Sequence, residues 1–452
     1  MPRFLSTRPD ASLIPLPWST PLADWPGDYL VALPRGLSRH VVRFIGVGGA
    51  VYAAKEVNQD LATHEYQMLT ELARLGQPAV EPVGIISDRL DEDGRPLDPI
   101  LLTRHLQYSL PYRSLFIPGV RRDTVMRLLD ALVVLVVRLH LIGFMWGDIT
   151  LSNVLFRRDA EAFSAYLVDA ETAEMHEKLT PGQRRHDIDN AAVNIYGDFL
   201  DLQAGGMLDE ALDPSNLVKI INTRYRDLWA ELTAAEEFPD TELGRIERRV
   251  RRLNVLGFDV AELDIKTSPD GERVVIRPKV VDAGHHSRRL MRLTGLDTEE
   301  NQARRLLNDL DSFRARNGRQ SVDESIVAHE WLTKCFEPII AAIPAELHGK
   351  RDNAQIYHEL LDYRWYQSER ESREVPLTEA LPGYITDVLR RLPDEVLATG
   401  DAVPAGQPSQ LVDDDVTIPA DPWETPVADD MESLTLDRAM LLARAKEAAG
   451  RS

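Results

Sequence analysis

The segment Leu128-Leu-Asp-Ala-Leu-Val-Val-Leu-Val-Val-Arg-Leu-His-Leu-Ile-Gly-Phe-Met-Trp146 is apolar around almost its whole helical circumference, with Asp130, Arg138 and His140 as its interruptions. Such a helix has to be enclosed by its own protein, and its polar members make it a core helix rather than a membrane span. It runs directly into Gly147-Asp148-Ile-Thr-Leu-Ser-Asn153, then the apolar Val154-Leu-Phe156, and shortly afterwards Ala165-Tyr-Leu-Val-Asp169-Ala-Glu171. The text therefore presents an Asp, an Asn five residues on, and a second Asp after an apolar run. That is the order of groups phosphoryl transfer requires: a carboxylate beside an accepting hydroxyl, and oxygen ligands for Mg²⁺.

Upstream the texture is β-rich. Asp28-Tyr-Leu-Val-Ala-Leu33, Val41-Val-Arg-Phe-Ile45 and Ala50-Val-Tyr-Ala-Ala-Lys-Glu-Val57 read as strands, the last two joined by the turn Gly46-Val-Gly-Gly49. Residues 60–75 carry apolar side chains at Leu61, Met68, Leu69, Leu72 and Leu75 before Gly76, the pattern of an amphipathic helix. Two further strands are expected at Val83–Ile86 and Ile100–Thr103. Residues 1–27 hold six prolines and read as an arm laid over this lobe. Helices dominate past Arg104, including one around residues 187–200.

From about residue 240 the pattern changes again. A helical segment at 240–256 precedes a hairpin, Val260–Ile265 with Arg273–Val281 about the turn Ser268-Pro-Asp-Gly271, and helices are expected near 299–316, 322–342, 353–372 and 384–397. Between Gly400 and Met431 Pro and Asp abound and Lys and Arg are absent, so a disordered acidic linker is expected there. Glu432–Glu447 returns to helical period with one apolar stripe.

The Asp148, Asn153 and Asp169 set resembles the catalytic core of the protein-kinase-like superfamily. Within it the chain is most similar to atypical members such as lipopolysaccharide kinases and aminoglycoside phosphotransferases, which place Gly-Asp where protein kinases have Arg-Asp. Up to about residue 398 it also resembles an actinobacterial family with a lipopolysaccharide-kinase-like front half and a C-terminal domain of unknown function. The resemblance implies an α+β, two-lobed kinase-like fold followed by a mostly helical domain with a β-hairpin. The expected parts are an arm (1–27), N-lobe (28–105), C-lobe (106–238), α-rich C-terminal domain (239–398), acidic linker (399–431) and terminal amphipathic helix (432–452).

The same resemblance implies roles for single residues. Asp148 would be the catalytic base, and Asn153 would bind Mg²⁺ and brace its loop. Asp169 would bridge Mg²⁺ to the β- and γ-phosphates of ATP. Lys55 would contact the α- and β-phosphates, with Glu65 as its helix partner and Glu71 as a substitute. Gly46–Gly49 lies too close to Lys55 to cradle phosphates, which leaves Arg35, Gly36, Ser38 and Arg39 over the nucleotide. Thr103 and His105 fall where the family's hinge meets adenine. Asp187 or Asp189 would hold the catalytic loop from below.

Three departures stand out: Trp146-Gly147 in place of His-Arg, Asp169-Ala-Glu171 without the usual glycine, and no Ala-Pro-Glu motif. With only residues 172–185 before the next helix there is little platform for a protein substrate, so small-molecule, lipid-sugar or unusual protein acceptors gain weight. The expected function is an ATP- and Mg²⁺-dependent phosphotransferase; the alternative is a pseudokinase-like regulator or scaffold acting through its C-terminal domain. That domain or the terminal helix could dock a protein partner.

Other classes are disfavoured. A net charge of −21 argues against general nucleic-acid or anionic-lipid affinity. Cys335 is the single cysteine, so no internal disulfide or multi-cysteine zinc site is possible, and with no signal-peptide core at the N-terminus a cytoplasmic protein is expected. His285-His286 point apart at a helix start, and neither His329-Glu330 nor His358-Glu359 is completed by a second histidine into the zinc-protease motif. Arg288, Arg289 and Arg292 read as a solvated basic face, and Tyr357, Tyr363, Trp365 and Tyr366 as packing.

Overall fold

The computed structural model describes residues 2–6, 10–33, 39–116, 120–234 and 284–395, together with the backbone of the strands at 236–239, 258–267 and 273–283. Outside the described residues lie Arg35, Gly36 and Ser38, the helical segment at 240–256, the turn at 268–271, the acidic linker and the terminal helix.

Two glycines set the first hairpin. β2 (Val41–Val47) and β3 (Ala50–Glu56) pair antiparallel with Val47 opposite Ala50, and the two residues between them, Gly48 and Gly49, have φ of +61° and +76°. A two-residue turn with both φ positive matches the twist of its strands and suits glycine, so Gly48 and Gly49 make the turn, while Gly46 and Val47, expected in it, pair as the last residues of β2. β3 pairs with β7 (Ile100–Arg104), β7 with β4 (Glu81–Ser87), and β4 with β1 (Arg3–Leu5), giving an antiparallel sheet in the order β1-β4-β7-β3-β2. A small hairpin of β5 (Arg89–Leu90) and β6 (Pro96–Leu97) joins β4 to β7.

Strand alternation divides this sheet into two faces. Tyr52, Ala54, Ile100 and Leu102 pack against the N-terminal arm through Leu13, Trp18, Leu22 and Trp25. Lys55 and Ala53 lie on the other face beside their cross-strand partners Leu101 and Thr103. That face is backed by α1 (Gln59–Arg74), where Ala62 and Tyr66 join Leu101.

Two expectations need correction here. Residues 28–33 are not a strand: after Pro26 the chain makes a single 3-10 turn at Gly27–Tyr29 and meets β2 only through the Leu30–Ile45 bridge and the Val31 amide on the Phe44 carbonyl. The arm is not wholly irregular, since Arg3–Leu5 extends the sheet edge; its prolines begin to crowd only beyond Pro9.

The second lobe opens with the short α2 (Tyr112–Leu115) and is built on α3 (Arg122–Leu141), buried around most of its circumference and packed on α5 (Pro214–Thr233) and β11 (Ala162–Leu167). β10 (Val154–Asp159) joins β11 to β8 (Ser109–Pro111), while β9 (Phe144–Met145) pairs with β12 (Glu174–Met175). α4 (Pro181–Ala204) starts sharply because Thr180 and Gln183 form a reciprocal capping box with Pro181 in the first turn. Among the described residues no helix is long and apolar enough to cross a membrane.

Strands β14 (Phe258–Thr267) and β15 (Arg273–Ala283) form the expected hairpin, and β13 (Glu236–Pro239) adds a third strand beside β15. A helical unit follows: α6 (His285–Thr294), α7 (Glu300–Arg316), α8 (Glu324–Trp331), α9 (Glu337–Ala341), α10 (Asn353–Glu371) and α11 (Leu377–Asp387). Its own core centres on Trp331, Phe336, Tyr357 and Tyr384. The helix expected over 322–342 is broken by a π turn at Leu332–Phe336, immediately before Pro338, whose missing N–H interrupts regular α bonding. The helix expected at 384–397 instead starts at Leu377 behind Pro376 and ends by Asp387. The architecture is therefore α+β, a sheet-bearing lobe and a helical lobe followed by a mostly helical region.

That region grips the far end of the β10–β11 hairpin. Ala160 turns the hairpin at φ +56°, and Gln355 accepts from its N–H at 3.1 Å and donates to its C=O at 3.3 Å. Asp159 accepts from Gln302 N, Asn301 Nδ2 and Ser164 Oγ. Burial, with Glu299 nearby, pushes its carboxyl up to about 7. Glu299 takes Tyr166 Oη at 2.6 Å and Arg157 at 3.0 Å, and Glu395 takes Arg158 at 2.7 Å and Arg351 at 2.8 Å. Both ends of the hairpin are thus fixed, one in this junction and the other in the cleft.

Candidate active site

Lys55 emerges near the C-terminal end of β3 on the face toward α1, and the cleft closes around its ammonium. Nζ donates to Glu65 Oε2 at 2.9 Å, Asp169 Oδ2 at 2.8 Å and Glu171 Oε2 at 3.1 Å. The sequence expectation of Glu65 as partner holds; Glu71 instead pairs with Arg74 on an exposed part of α1. Glu65 is 2% exposed, and His64 beside it places Nε2 2.8 Å from the Ala173 carbonyl, tying α1 to the segment after Asp169.

The charge balance is uneven. Three carboxylates from α1 and the Asp169–Glu171 segment share one ammonium, with His40 Nε2 a further 2.9 Å from Glu171 Oε2. Burial and the neighbouring Asp169 charge push Glu65 up to about 7 even though Lys55 favours its ionised form. Burial by itself would lower the Lys55 pKa, yet Glu65 and Asp169 outweigh it and hold the ammonium charged. Among the described residues these three carboxylates outnumber the one ammonium they share, and one oxygen from each of Glu65, Asp169 and Glu171 lies within 4.8 Å of the others, a spacing that suits a divalent cation with oxygen ligands.

The loop carrying Asp148 is suspended from α4. Asp187, fully buried, accepts from the amides of Trp146 at 2.9 Å and Gly147 at 2.8 Å, and its Oδ2 lies 3.0 Å from His140 Nε2. Of the two aspartates considered from sequence, Asp187 is thus the one that holds the loop. Along the same helix Asn194 donates to Asp148 Oδ1 at 3.0 Å, and Asp198 accepts from the Leu151 amide at 2.7 Å. Burial is the main cause that pushes Asp198 up to about 6. Asn153 Nδ2 donates to the Asp148 carbonyl at 3.0 Å, so the Asp and Asn brace each other.

Trp146 and Gly147, which stand in place of His-Arg, have a local reason. Trp146 Nε1 donates to the Asp169 carbonyl at 2.8 Å and ties the Asp148 loop to the Asp169 segment. Gly147 has φ +81°, and a Cβ there would stand 2.8 Å from the Thr172 carbonyl, so no side chain fits. Asp169 Oδ1 in turn accepts from the Glu171 amide at 2.9 Å.

Thr103 lies opposite Ala53 on the cleft face, and Phe44 flanks Ala53 from β2. His105 follows β7, donating its amide to the Val51 carbonyl and setting its ring against Phe44 with centroids 5.6 Å apart. Burial lowers its imidazole pKa, favouring the neutral ring. Arg39 is exposed just before β2; Arg35, Gly36 and Ser38 lie outside the described residues. The site therefore gathers Lys55, Glu65 and Asp169 at one point, links Asp148 to Asn153, and sets Thr103 and His105 along the same cleft. Sequence reasoning missed His40, Glu171, Asn194 and Asp198. Asp187, Asn194 and Asp198 were readable as polar residues at positions i, i+7 and i+11 of one helix face.

The model of a domain of unknown function (DUF4032) matches residues 227–389. No curated protein matches the chain. Among solved structures, the chain is similar to WaaP in complex with acyl carrier protein, at 17% identity and a TM-score of 0.32, over 51% of this chain and 90% of that one.

Proposed function

We propose that this chain is an ATP- and Mg²⁺-dependent phosphotransferase that moves a γ-phosphate to a hydroxyl of a small-molecule, lipid-sugar or protein acceptor. The observation that carries the reading is the excess of carboxylates around Lys55, a pocket that a divalent cation would balance. Asp169 and Asn153 would hold Mg²⁺, with Glu171 as a third oxygen donor. Bound Mg²⁺ supplies charge neutralisation at the β- and γ-phosphates. Lys55, fixed by Glu65, would contact the α- and β-phosphates, and the face formed by Phe44, Ala53 and Thr103 would receive the adenine. Asp148, oriented by Asn194, would take the acceptor's proton as its oxygen bonds to the γ-phosphorus; the bond to the β–γ bridging oxygen breaks and its electron pair leaves with ADP.

One observation favours a second reading, a pseudokinase-like regulator. Lys55 has three N–H donors and three carboxylates to receive them, so none is left for a phosphate until Asp169 or Glu171 turns away. A thermal-shift titration with Mg·ATP on the wild type and Asp169→Ala, paired with transfer of labelled γ-phosphate, separates the two. The enzyme reading expects a shift that Asp169→Ala reduces, together with label transfer. No wild-type shift would sink that reading, and a shift without transfer to water or any acceptor class would favour the regulator.

A further inference from the structure

The junction between the β10–β11 hairpin and the helical unit holds a second group of donors, independent of the cleft. Glu161 sits in the hairpin turn beside Ala160, while His358 and Asp362 stand one helical turn apart on α10. Residues at i and i+4 share a helix face, the spacing by which two side chains chelate one ion. Asp362 stands where the zinc-protease motif would place its second histidine, after His358-Glu359. Glu359 is engaged elsewhere, accepting from Tyr384 Oη at 2.8 Å and Gln355 Nε2 at 3.1 Å, so the hydrolytic part of that motif is missing.

We propose that Glu161, His358 and Asp362 form a structural site for a divalent transition-metal ion, Zn²⁺ by donor chemistry, that staples the hairpin to the helical unit. His358 Nε2 lies 3.1 Å from Asp362 Oδ2 and 3.7 Å from Glu161 Oε1, and one ligand atom from each residue falls within 4.8 Å of the others. Ligands about 2.0–2.1 Å from a tetrahedral ion stand about 3.4 Å apart, so these separations bracket the expected edge. One imidazole and two carboxylates are a donor set that zinc accepts, with water in the fourth position. His358 is 2% exposed and Asp362 is buried, whereas the Glu161 side chain is 56% exposed, which leaves an entry path from solvent. Arg305 Nη2 donates to Asp362 Oδ1 at 2.7 Å, orienting the carboxylate and leaving Oδ2 for the ion. Arg127 fixes the other side by donating to the Glu161 carbonyl at 2.6 Å.

The consequence lies in the hairpin. β10 begins directly after Asn153 and β11 ends two residues before Asp169, so an ion at Glu161 would secure the strands that deliver both groups to the cleft. The test uses the full chain, stripped with a chelator, dialysed and titrated with ZnCl₂ by calorimetry, then with Co²⁺ while visible absorption is recorded. The proposal expects a saturable equivalent that persists in Asp169→Ala, with Co²⁺ bands of a low-coordinate site and affinity reduced roughly tenfold or more in Glu161→Gln and in His358→Ala. If His358→Ala does not fold, the exposed Glu161→Gln decides alone. Absence of saturable binding overturns the proposal. So does binding unchanged by Glu161→Gln, including binding abolished instead by Asp169→Ala, which would put the ion at the cleft carboxylates.

Discussion

The two ends of the β10–β11 hairpin treat negative charge in opposite ways. At the helical junction Glu299 and Glu395 face three guanidinium groups, Arg157, Arg158 and Arg351, and the strained Ala160 turn has both backbone groups satisfied by Gln355. In the cleft, Asp169 and Glu171 have further donors in the Glu171 amide and His40, yet Glu65, Asp169 and Glu171 share a single ammonium. Buried charge without matching partners opposes folding, so an arrangement of this kind is best explained by what it binds. Under the proposed function, a bound Mg²⁺ makes up the shortfall in the cleft.

The sharpest break of this comparison is removal of one carboxylate from each end. Asp169→Ala should reduce labelled phosphate transfer by about a thousandfold or more while circular dichroism and the melting temperature stay close to wild type, because relieving like-charge crowding costs the fold little. Gln355→Ala should do the reverse. It orphans the Ala160 N–H and C=O, each a loss of about 1–3 kcal/mol, so the melting point falls while nucleotide affinity changes little. If the two variants behaved alike, the cleft carboxylates would be as structural as the junction.

Gly147→Ala probes the segment between the ends. A non-glycine residue at φ +81° with Cβ pressed on the Thr172 carbonyl should cost about 1–3 kcal/mol, relieved by displacing the Asp148 loop. The expected reading is a fall in kcat larger than the change in KM for ATP. An unchanged kcat would mean the loop relaxes without moving Asp148.

Much of the cleft was legible in the sequence because each of its groups stands where an apolar element gives way to a loop: Lys55 within the alternation of β3, Asp148 after the core helix, Asp169 after Tyr166-Leu-Val168. The glycine turn between β2 and β3 was legible for a similar reason, being bracketed by alternating strands. Glu171 was visible but read as the loss of a glycine, since its contact with Lys55 and His40 depends on the approach of two lobes. The junction was not legible at all. Asp159 and Gln302, or Ala160 and Gln355, are separated by well over a hundred residues, and no local period links a hairpin tip to a helix so distant in the chain. The edge strand Arg3–Leu5 escaped for the opposite reason: it is too short to show a period.

The smallest effect is a pH dependence, and it bears directly on whether the cleft is short of positive charge. Glu65 is raised from 4.5 to about 7, so the folded protein holds this proton more tightly than the unfolded chain, and its contribution to stability falls as pH rises from about 4.5 to about 7 and is flat above. A divalent cation favours the ionised carboxylate and must displace that proton. Affinity for Mg²⁺ or Mn²⁺, measured without nucleotide, should therefore rise by up to about tenfold per pH unit below 7 and level off above it. Glu65→Gln removes the titrating group and should flatten that part of the profile. A wild-type profile already flat between about pH 5.5 and 7 would mean that Lys55 satisfies Glu65 fully, and the contrast between the cleft and the junction would then rest on Asp169 and Glu171 alone.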